Sequence, residues 1–515
     1  MSILSPVPSD EIATWYDEAF EARRAGNLDT AQSLLDRILT QAPKHAGALY
    51  SHGVLALESN QLESAQRWIE RAIEVQPSPV FYNTLYIVQI RLGAFASAEQ
   101  TVQRGLTLRP DSPMLHFNLG VTLERQGRLE DAAICYRRVL EFEPDNPRAH
   151  ASLGDLAMAL DVLDDAERHL KRAVALTPTD LPTRAALAGT LLTAGRYEEA
   201  WPYYEDRWVT GVTADGRPHA VRPQVPLPQW NGETSDTTKR THKGRVQTAR
   251  LLVIPEQGYG DSLQFVRYLP MALTRFSKVG YVCPPPLRRL YGQSLCSRWP
   301  GLVLLYREQV RERDWDCHSP LMSLPRAFGT RLDSIPATVP YLYADAGRAA
   351  RWHTRLAALP GSDLPRVGIV WAGGHSGLAV DRERSLTSTQ IAPLLALTHV
   401  RWISLQKTDD PAKLADPASK ARLKDWTDEI TDFADTAALI ENLDLVISVD
   451  TSVAHLAAAM GKPVWLLNRF AGCWRWLRDR DDSPWYPSVR LFTQSQRGNW
   501  DDVLARVAAE LKQRF

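Results

Sequence analysis

The stretch Asp444-Leu445-Val446-Ile447-Ser448-Val449-Asp450-Thr451-Ser452-Val453-Ala454-His455-Leu456-Ala457-Ala458-Ala459-Met460-Gly461-Lys462-Pro463-Val464-Trp465-Leu466-Leu467 reads as strand, turn, helix, turn, strand. Its first strand is apolar and β-branched. Val453, Leu456, Ala457 and Met460 then recur at helical spacing before Gly461 stops the helix, and Pro463 opens the second strand, where no ladder donor is needed. Two apolar strands joined by one helix make a βαβ unit of a buried parallel sheet. Ligands of such sheets sit beyond the carboxyl ends of the strands, and Asp450, Thr451, Ser452 and His455 fall at that end. Thr451 and Ser452 begin the helix, whose first backbone N–H groups lack intrahelical partners and attract phosphate. The same residues also fit a plainer reading, in which Asp450 caps the helix and His455 fills the core.

Working outward, strand and helix signals alternate through residues 351–515, which predicts a doubly wound α/β domain. Val367-Gly368-Ile369-Val370-Trp371-Ala372-Gly373-Gly374 is a strand running into a glycine-bearing turn, followed by Asp381-Arg382-Glu383-Arg384-Ser385. Arg401-Trp402-Ile403-Ser404-Leu405-Gln406-Lys407 is a second strand, and Asp432-Phe433-Ala434-Asp435-Thr436-Ala437-Ala438 a capped helix. Gly373, Gln406, Lys407, Asp435, Thr436 and Asp450 are expected to converge on one crevice at the polar strand ends.

Residues 249–350 begin another α/β domain. The strand Arg250-Leu251-Leu252-Val253-Ile254 leads into Glu256-Gln257-Gly258-Tyr259-Gly260-Asp261. Gly258 and Gly260 permit a tight turn and close backbone approach. Asp261 opens an amphipathic helix with Leu263, Phe265, Val266 and Leu269 facing inward. By itself a Gly-x-Gly is weak evidence of nucleotide binding. Gln257 and His318 are candidates for the cleft, and a turn role suits His318 equally well. Residues 209–248, rich in Pro, Gly, Thr and charge, read as an irregular linker.

The first 208 residues are a repeat array. Ala31, Ala65, Ala98, Ala132, Ala166 and Ala200 recur at steps of 34, 33, 34, 34 and 34 residues. Pro43, Pro77, Pro110, Pro144 and Pro178 keep the same step, and Gly26, Asn60, Gly93, Gly127, Asp161 and Gly195 mark a turn five residues before each alanine. This pattern resembles six tetratricopeptide repeats over about residues 12–208, each a helical hairpin, stacked into a superhelix with a concave face. Trp201, Tyr204 and Trp208 are expected to cap the array against the next domain. One groove-facing position per unit is predicted: Asp17, Ser51, Thr84, Asn118, Ser152 and Ala186, only one of which is asparagine.

Length and composition agree with several domains: 515 residues correspond to three or four at roughly 100–200 each. A formal net charge of zero points neither to nucleic acid nor to an anionic membrane. Five scattered cysteines with no CxxC pair suggest neither a disulfide framework nor a zinc site, and they suit a reducing cytosol. Pro6, Pro8 and acidic residues interrupt the first twenty residues, so no signal peptide is expected, and no apolar run reaches membrane-spanning length.

Taken together, Glu-Gln-Gly-Tyr-Gly-Asp, Val-Gly-Ile-Val-Trp-Ala-Gly, Ser-Leu-Gln-Lys, Asp-Phe-Ala-Asp-Thr-Ala, Val-Asp-Thr-Ser-Val-Ala-His-Leu and Ser-Pro-Trp-Tyr-Pro resemble the bacterial tetratricopeptide-repeat glycosyltransferases, whose catalytic region is heptosyltransferase-like. Some of that group are linked to flagellin glycosylation. The resemblance covers nearly the whole chain. It implies an all-α repeat superhelix followed by a GT-B fold, two Rossmann-like domains with the active site between them. It also implies Asp261 as general base at the acceptor side, and Asp450, Thr451 and His455 around the donor diphosphate. Arg384 is then the candidate cation for that diphosphate, with Arg382 second. The expected activity is metal-independent hexosyl or heptosyl transfer in the cytoplasm from a nucleotide-sugar to a protein hydroxyl, with the repeats holding the acceptor protein. No cofactor and no metal are expected. A lipopolysaccharide or small-glycan transferase and a catalytically silent repeat adaptor remain alternatives, and oligomer formation is left open.

Overall fold

The computed structural model describes residues 9–209, 222–233, 239–242, 245–256, 258–361, 363–374, 379–407 and 416–515. Gln257 and much of the 209–248 linker lie outside them. The chain forms two compact units, Met1–Pro178 and Thr179–Phe515.

The first unit is five helical hairpins: α1 (Ser9–Arg24) with α2 (Leu28–Gln41), α3 (Ala46–Glu58) with α4 (Leu62–Val75), α5 (Pro79–Arg91) with α6 (Phe95–Leu108), α7 (Pro113–Arg125) with α8 (Leu129–Phe142), and α9 (Pro147–Ala159) with α10 (Leu163–Leu176). The turn inside each hairpin needs one left-handed residue. Gly26, Gly93 and Gly127 supply it with φ of 79°, 73° and 80°, and Asn60 and Asp161, the side chains that best tolerate this region, with 57° and 60°. The five recurring alanines of this unit, Ala31 to Ala166, are fully buried. Glycines on the first helix let the second approach: a Cβ on Gly53, Gly120 or Gly154 would lie 2.4–2.6 Å from Ile69, Tyr136 or Leu170. Three of the six predicted groove positions are engaged by the preceding repeat. Tyr16 Oη lies 3.2 Å from Ser51 Oγ, Tyr50 Oη 2.9 Å from Thr84 Oγ1, and Asn118 Nδ2 donates to Asn83 Oδ1 at 2.6 Å.

The sixth hairpin, α11 (Leu181–Thr193) with α12 (Tyr197–Tyr204), belongs to the second unit, so the division falls at Pro178 rather than at residue 208. Aromatic burial is the reason. Tyr197, Trp201 and Tyr204 are buried. Trp201 Nε1 donates to Thr330 O at 2.7 Å, and Trp485 Nε1 donates to Tyr197 Oη at 3.1 Å. Arg207, just beyond α12, is buried and paired with Glu256 Oε2 at 2.8 Å.

After the antiparallel ribbon β1 (Lys239–His242) and β2 (Arg245–Thr248), the rest of this unit holds two parallel sheets. The first comprises β3 (Arg250–Ile254), β4 (Lys278–Val282), β5 (Leu302–Leu305) and β6 (Cys317–Pro320) in the order β5-β4-β3-β6. The second comprises β7 (Arg366–Val370), β8 (Arg401–Ser404), β9 (Leu423–Lys424), β10 (Leu445–Val449), β11 (Val464–Asn468) and β12 (Val489–Thr493) in the order β12-β11-β10-β7-β8-β9. All five residues of β10 and of β11 are buried, as the opening βαβ reading requires. Strand order reverses between β3 and β6 in one sheet and between β7 and β10 in the other, and crevices open at such switch points. These are two Rossmann-like domains, and the carboxyl ends of β3, β7 and β10 carry the sequence motifs.

The division at Pro178 makes a testable statement. Deleting residues 1–178 should leave one cooperative thermal transition and native near-ultraviolet circular dichroism. Deleting 1–208 should abolish both, because it strips the Tyr197, Trp201, Tyr204 and Arg207 contacts from the core.

Candidate active site

The helix Ser452–Ala459 follows β10 directly, and Thr451 stands at its N-cap with extended backbone and no side-chain capping bond. Thr451 Oγ1 instead lies 3.0 Å from Ser448 Oγ, so Thr451 and Ser452 bring the open helix start to the crevice. One turn on, His455 is buried, its Nδ1 3.0 Å from Tyr486 Oη and its Nε2 3.6 Å from Asp450 Oδ1. Its ring stacks on Trp476, with centroids 5.4 Å apart. Burial opposes charge on Asp450, but its hydrogen bond to His455 and the charges of His455 and Arg475 together pull the carboxyl down to about 2, which favours its ionised form. Asp450 is a partner of His455, and it does not cap the helix.

Arg384 joins the same end of the sheet. Its Nη1 donates to the Asp450 carbonyl at 2.8 Å, and its Nη2 pairs with Asp381 at 2.5 Å. Gly373 makes room for it, since a Cβ there would sit 2.3 Å from Arg384 Nε. The Gly373 N–H donates to Ser385 Oγ at 3.0 Å, which closes the loop around the guanidinium.

From the other domain comes the helix Tyr259–Phe265. Gly258 is its N-cap with φ −64°, and Gly260 is helical, so neither residue is needed for a left-handed turn. What Gly260 provides is close approach: a Cβ would lie 3.0 Å from His455 Cδ2 and 3.6 Å from Ser452 Cα. The two motif helices thus touch across the domain junction. Asp261 faces that junction and forms an ion pair with Arg475, while Arg475 Nε donates to Gln264 Oε1 at 2.6 Å.

Several other expected site residues serve the framework. Gln406 Oε1 accepts from Trp371 N and Ala372 N at 3.1 and 2.9 Å, so its amide braces the end of β7. Lys407 Nζ donates to the Ile430 carbonyl. Asp435 is held by Arg289 at 2.9 Å, Arg348 at 2.5 Å and Thr431. Burial opposes its charge, but the Thr431 hydrogen bonds and Arg289 keep its carboxyl below the usual range. Thr436 is buried and donates to the Asp432 carbonyl at 3.3 Å. His318 lies in β6 rather than in a loop. It is buried, with Nδ1 2.9 Å from Leu227 O, and burial depresses its basicity. These side chains bond to nearby backbone or ion partners, as Asp261, Arg384 and His455 also do.

Sequence reasoning missed Arg475, Gln264, Trp476 and Tyr486. The one available signal was the run Cys473-Trp474-Arg475-Trp476, a cation between two tryptophans, shortly before Ser483-Pro484-Trp485-Tyr486-Pro487.

The geometry around Gly373 gives a direct test. Gly373→Ala should push Arg384 away from the Asp450 carbonyl and weaken nucleoside diphosphate binding about tenfold by calorimetry. No described residue comes within 4 Å of a Cβ on Gly374, and Gly374→Ala should bind normally.

Comparison with known proteins finds matches in both parts of the chain. Tetratricopeptide repeat models match residues 22–84 and 87–147, and the glycosyltransferase family 9 (heptosyltransferase) model matches residues 430–467. Protein FlbA of Caulobacter vibrioides is 28% identical over 359 residues, 65% of this chain. That match spans 56% of FlbA's own length. Among solved structures, YrrB, a TPR protein with an unusual peptide-binding site, is 20% identical, covering 33% of this chain and 89% of its own with a TM-score of 0.31. The MamA protein is 18% identical, covering 34% and 96% with a TM-score of 0.31. The chain is thus similar to tetratricopeptide repeat proteins over residues 22–147 and to heptosyltransferases over residues 430–467 of its α/β region.

Proposed function

We propose that the chain is a glycosyltransferase that moves a sugar from a nucleotide-sugar donor to a hydroxyl of an acceptor protein. The observation that carries this reading is the contact of the Gly-x-Gly-Asp helix with the Asp-Thr-x-x-x-His helix at Gly260 and His455, because it sets a carboxylate opposite an anion-attracting helix start. Asp261 takes the proton of the acceptor hydroxyl as its oxygen bonds to the sugar anomeric carbon, a role typically giving ~10²–10⁴-fold. The bond from that carbon to the diphosphate oxygen breaks, and the leaving diphosphate takes up the electron pair. Backbone amides at the start of Ser452–Ala459 and the Arg384 guanidinium stabilise its charge. With those groups in place no metal is required for departure.

In this reading the five hairpins before Pro178 select the acceptor. A flagellin-like protein met in the cytoplasm is the acceptor that the sequence resemblance favours. Because Ser51, Thr84 and Asn118 already bond to neighbouring repeats, selection falls to side chains specific for one partner rather than to a ladder that grips any backbone. The heptosyltransferase match at residues 430–467 favours a second reading, transfer to a small glycan with the repeats acting only as a tether.

Nucleoside diphosphate release from a panel of UDP-, GDP- and ADP-sugars identifies the donor. Asp261→Asn should lower turnover about a hundredfold or more while nucleotide affinity stays near normal. Arg384→Ala and His455→Ala should weaken nucleoside diphosphate binding without added metal. Wild-type turnover in the first variant, or wild-type binding in both others, would overturn the assignment.

The chain lacking residues 1–178 separates the two acceptor readings. If the repeats select a protein, it should still hydrolyse the donor but modify candidate acceptor proteins poorly by intact-mass analysis. Unchanged protein modification would remove the selecting role.

A further inference from the structure

The turn between β11 and β12 carries a buried arginine that the mechanism above does not use. Arg475 is only 9% exposed, and its guanidinium is enclosed from both α/β domains. Cys473 and Trp474 lie on its own side: Nη1 donates to Cys473 Sγ at 2.9 Å, and the guanidinium lies 4.8 Å from the Trp474 ring centroid. Asp261, Gln264 and Phe265 lie on the other, with the Phe265 centroid at 5.6 Å. Its neighbours in the turn are anchored as well. Trp474 packs on Tyr204 and Phe265, and Trp476 stacks on His455.

Two consequences follow from this enclosure. A guanidinium has donors only, so the Gln264 oxygen must face Arg475 and the Gln264 NH₂ must point away. Gln264 is fully buried, and its Nε2 has no partner among the described residues, so its orientation one helical turn from Asp261 is set through Arg475 alone. In addition, the Arg475–Asp261 pair is desolvated only while both domains enclose it, and a buried charge without its partner is strongly disfavoured.

We propose that Arg475 is a positioning residue for glycosyl transfer: reaching from the donor-side domain, it aims Asp261 at the acceptor hydroxyl, so that the base is presented only when the two domains are closed. This rests on the transferase reading above and adds a requirement to it. Arg475 acts through Asp261 and does not bind the donor.

A double-mutant cycle in the full-length protein tests it, using the nucleotide-sugar that the wild type consumes fastest and reading nucleoside diphosphate release. Arg475→Ala should lower kcat about a hundredfold, the loss that a small misplacement of a reacting group produces. The KM for donor should stay within about twofold. Arg475→Lys keeps the charge and should recover about tenfold of that loss. In an Asp261→Asn background, Arg475→Ala should add less than about twofold, as expected of residues acting as one unit. Full multiplication of the two losses would overturn the proposal. So would a tenfold rise in donor KM at unchanged kcat, which would make Arg475 a donor ligand. Should Arg475→Ala fail to fold, the same cycle with Arg475→Lys decides. A wild type that releases no nucleoside diphosphate from any donor overturns the transferase reading and this proposal with it, whereas multiplicative losses overturn this proposal alone.

Discussion

The second unit depends on one close contact between helices that lie almost two hundred residues apart in sequence. Gly260 rests against His455 and Ser452 with no space for a side chain, and that proximity decides what surrounding residues can do. His455 is fixed by Tyr486 on one nitrogen and stacked on Trp476. Asp450 lies beside it with its ionised form favoured. Asp261 is carried to the junction on the same helix as Gly260 and meets Arg475 there. A side chain at 260 would press on the His455 ring, so that the ring or its helix would have to give way, and the Asp261–Arg475 pair across the junction would be disturbed with it.

The turn Trp474–Trp476 extends this dependence to the last helical hairpin. Trp474 makes edge contacts with Tyr197 and Tyr204 of α12 and packs on Phe265 of the Gly-x-Gly-Asp helix. Arg207, just after α12, pairs with Glu256 at the end of β3. Burial pushes the Glu256 carboxyl up to about 7, against the Arg207 charge and the Met322 N–H that hold it down. A hairpin with the repeat signature has thus become part of the α/β core. The unit boundary falls at a repeat junction, Pro178, and buried aromatic surface decides that the last hairpin lies beyond it.

The repeats were legible because their key positions admit few residue types. Left-handed turns take Gly, Asn or Asp, and tight helix crossings take Ala or Gly, so a 34-residue period stands out. The strands were legible from apolar runs bounded by turn residues. The polar residues at strand ends were only half legible. Their place near the crevice follows from the βαβ pattern, but which way each side chain turns depends on neighbours that sequence order does not reveal. Gln406 turns back to brace β7, Asp435 is claimed by two arginines from distant segments, and Arg384 reaches the Asp450 carbonyl because Gly373 leaves it space. Arg475 was not legible, since it sits in an irregular turn without periodicity and its partners are more than two hundred positions away.

The hydrogen bonds that link successive first helices of the array also bear on its mechanics. Tyr16 with Ser51, Tyr50 with Thr84 and Asn118 with Asn83 are cross-ties on neighbouring turns of a spring. Opening the superhelix there breaks partly buried polar contacts as well as apolar ones, so this stretch resists uncoiling. A stiff groove loses little conformational freedom when a partner enters it. In the proposed role of holding an acceptor protein, such a groove would admit only partners whose curvature already matches, which makes shape a filter that operates before any individual side chain is read.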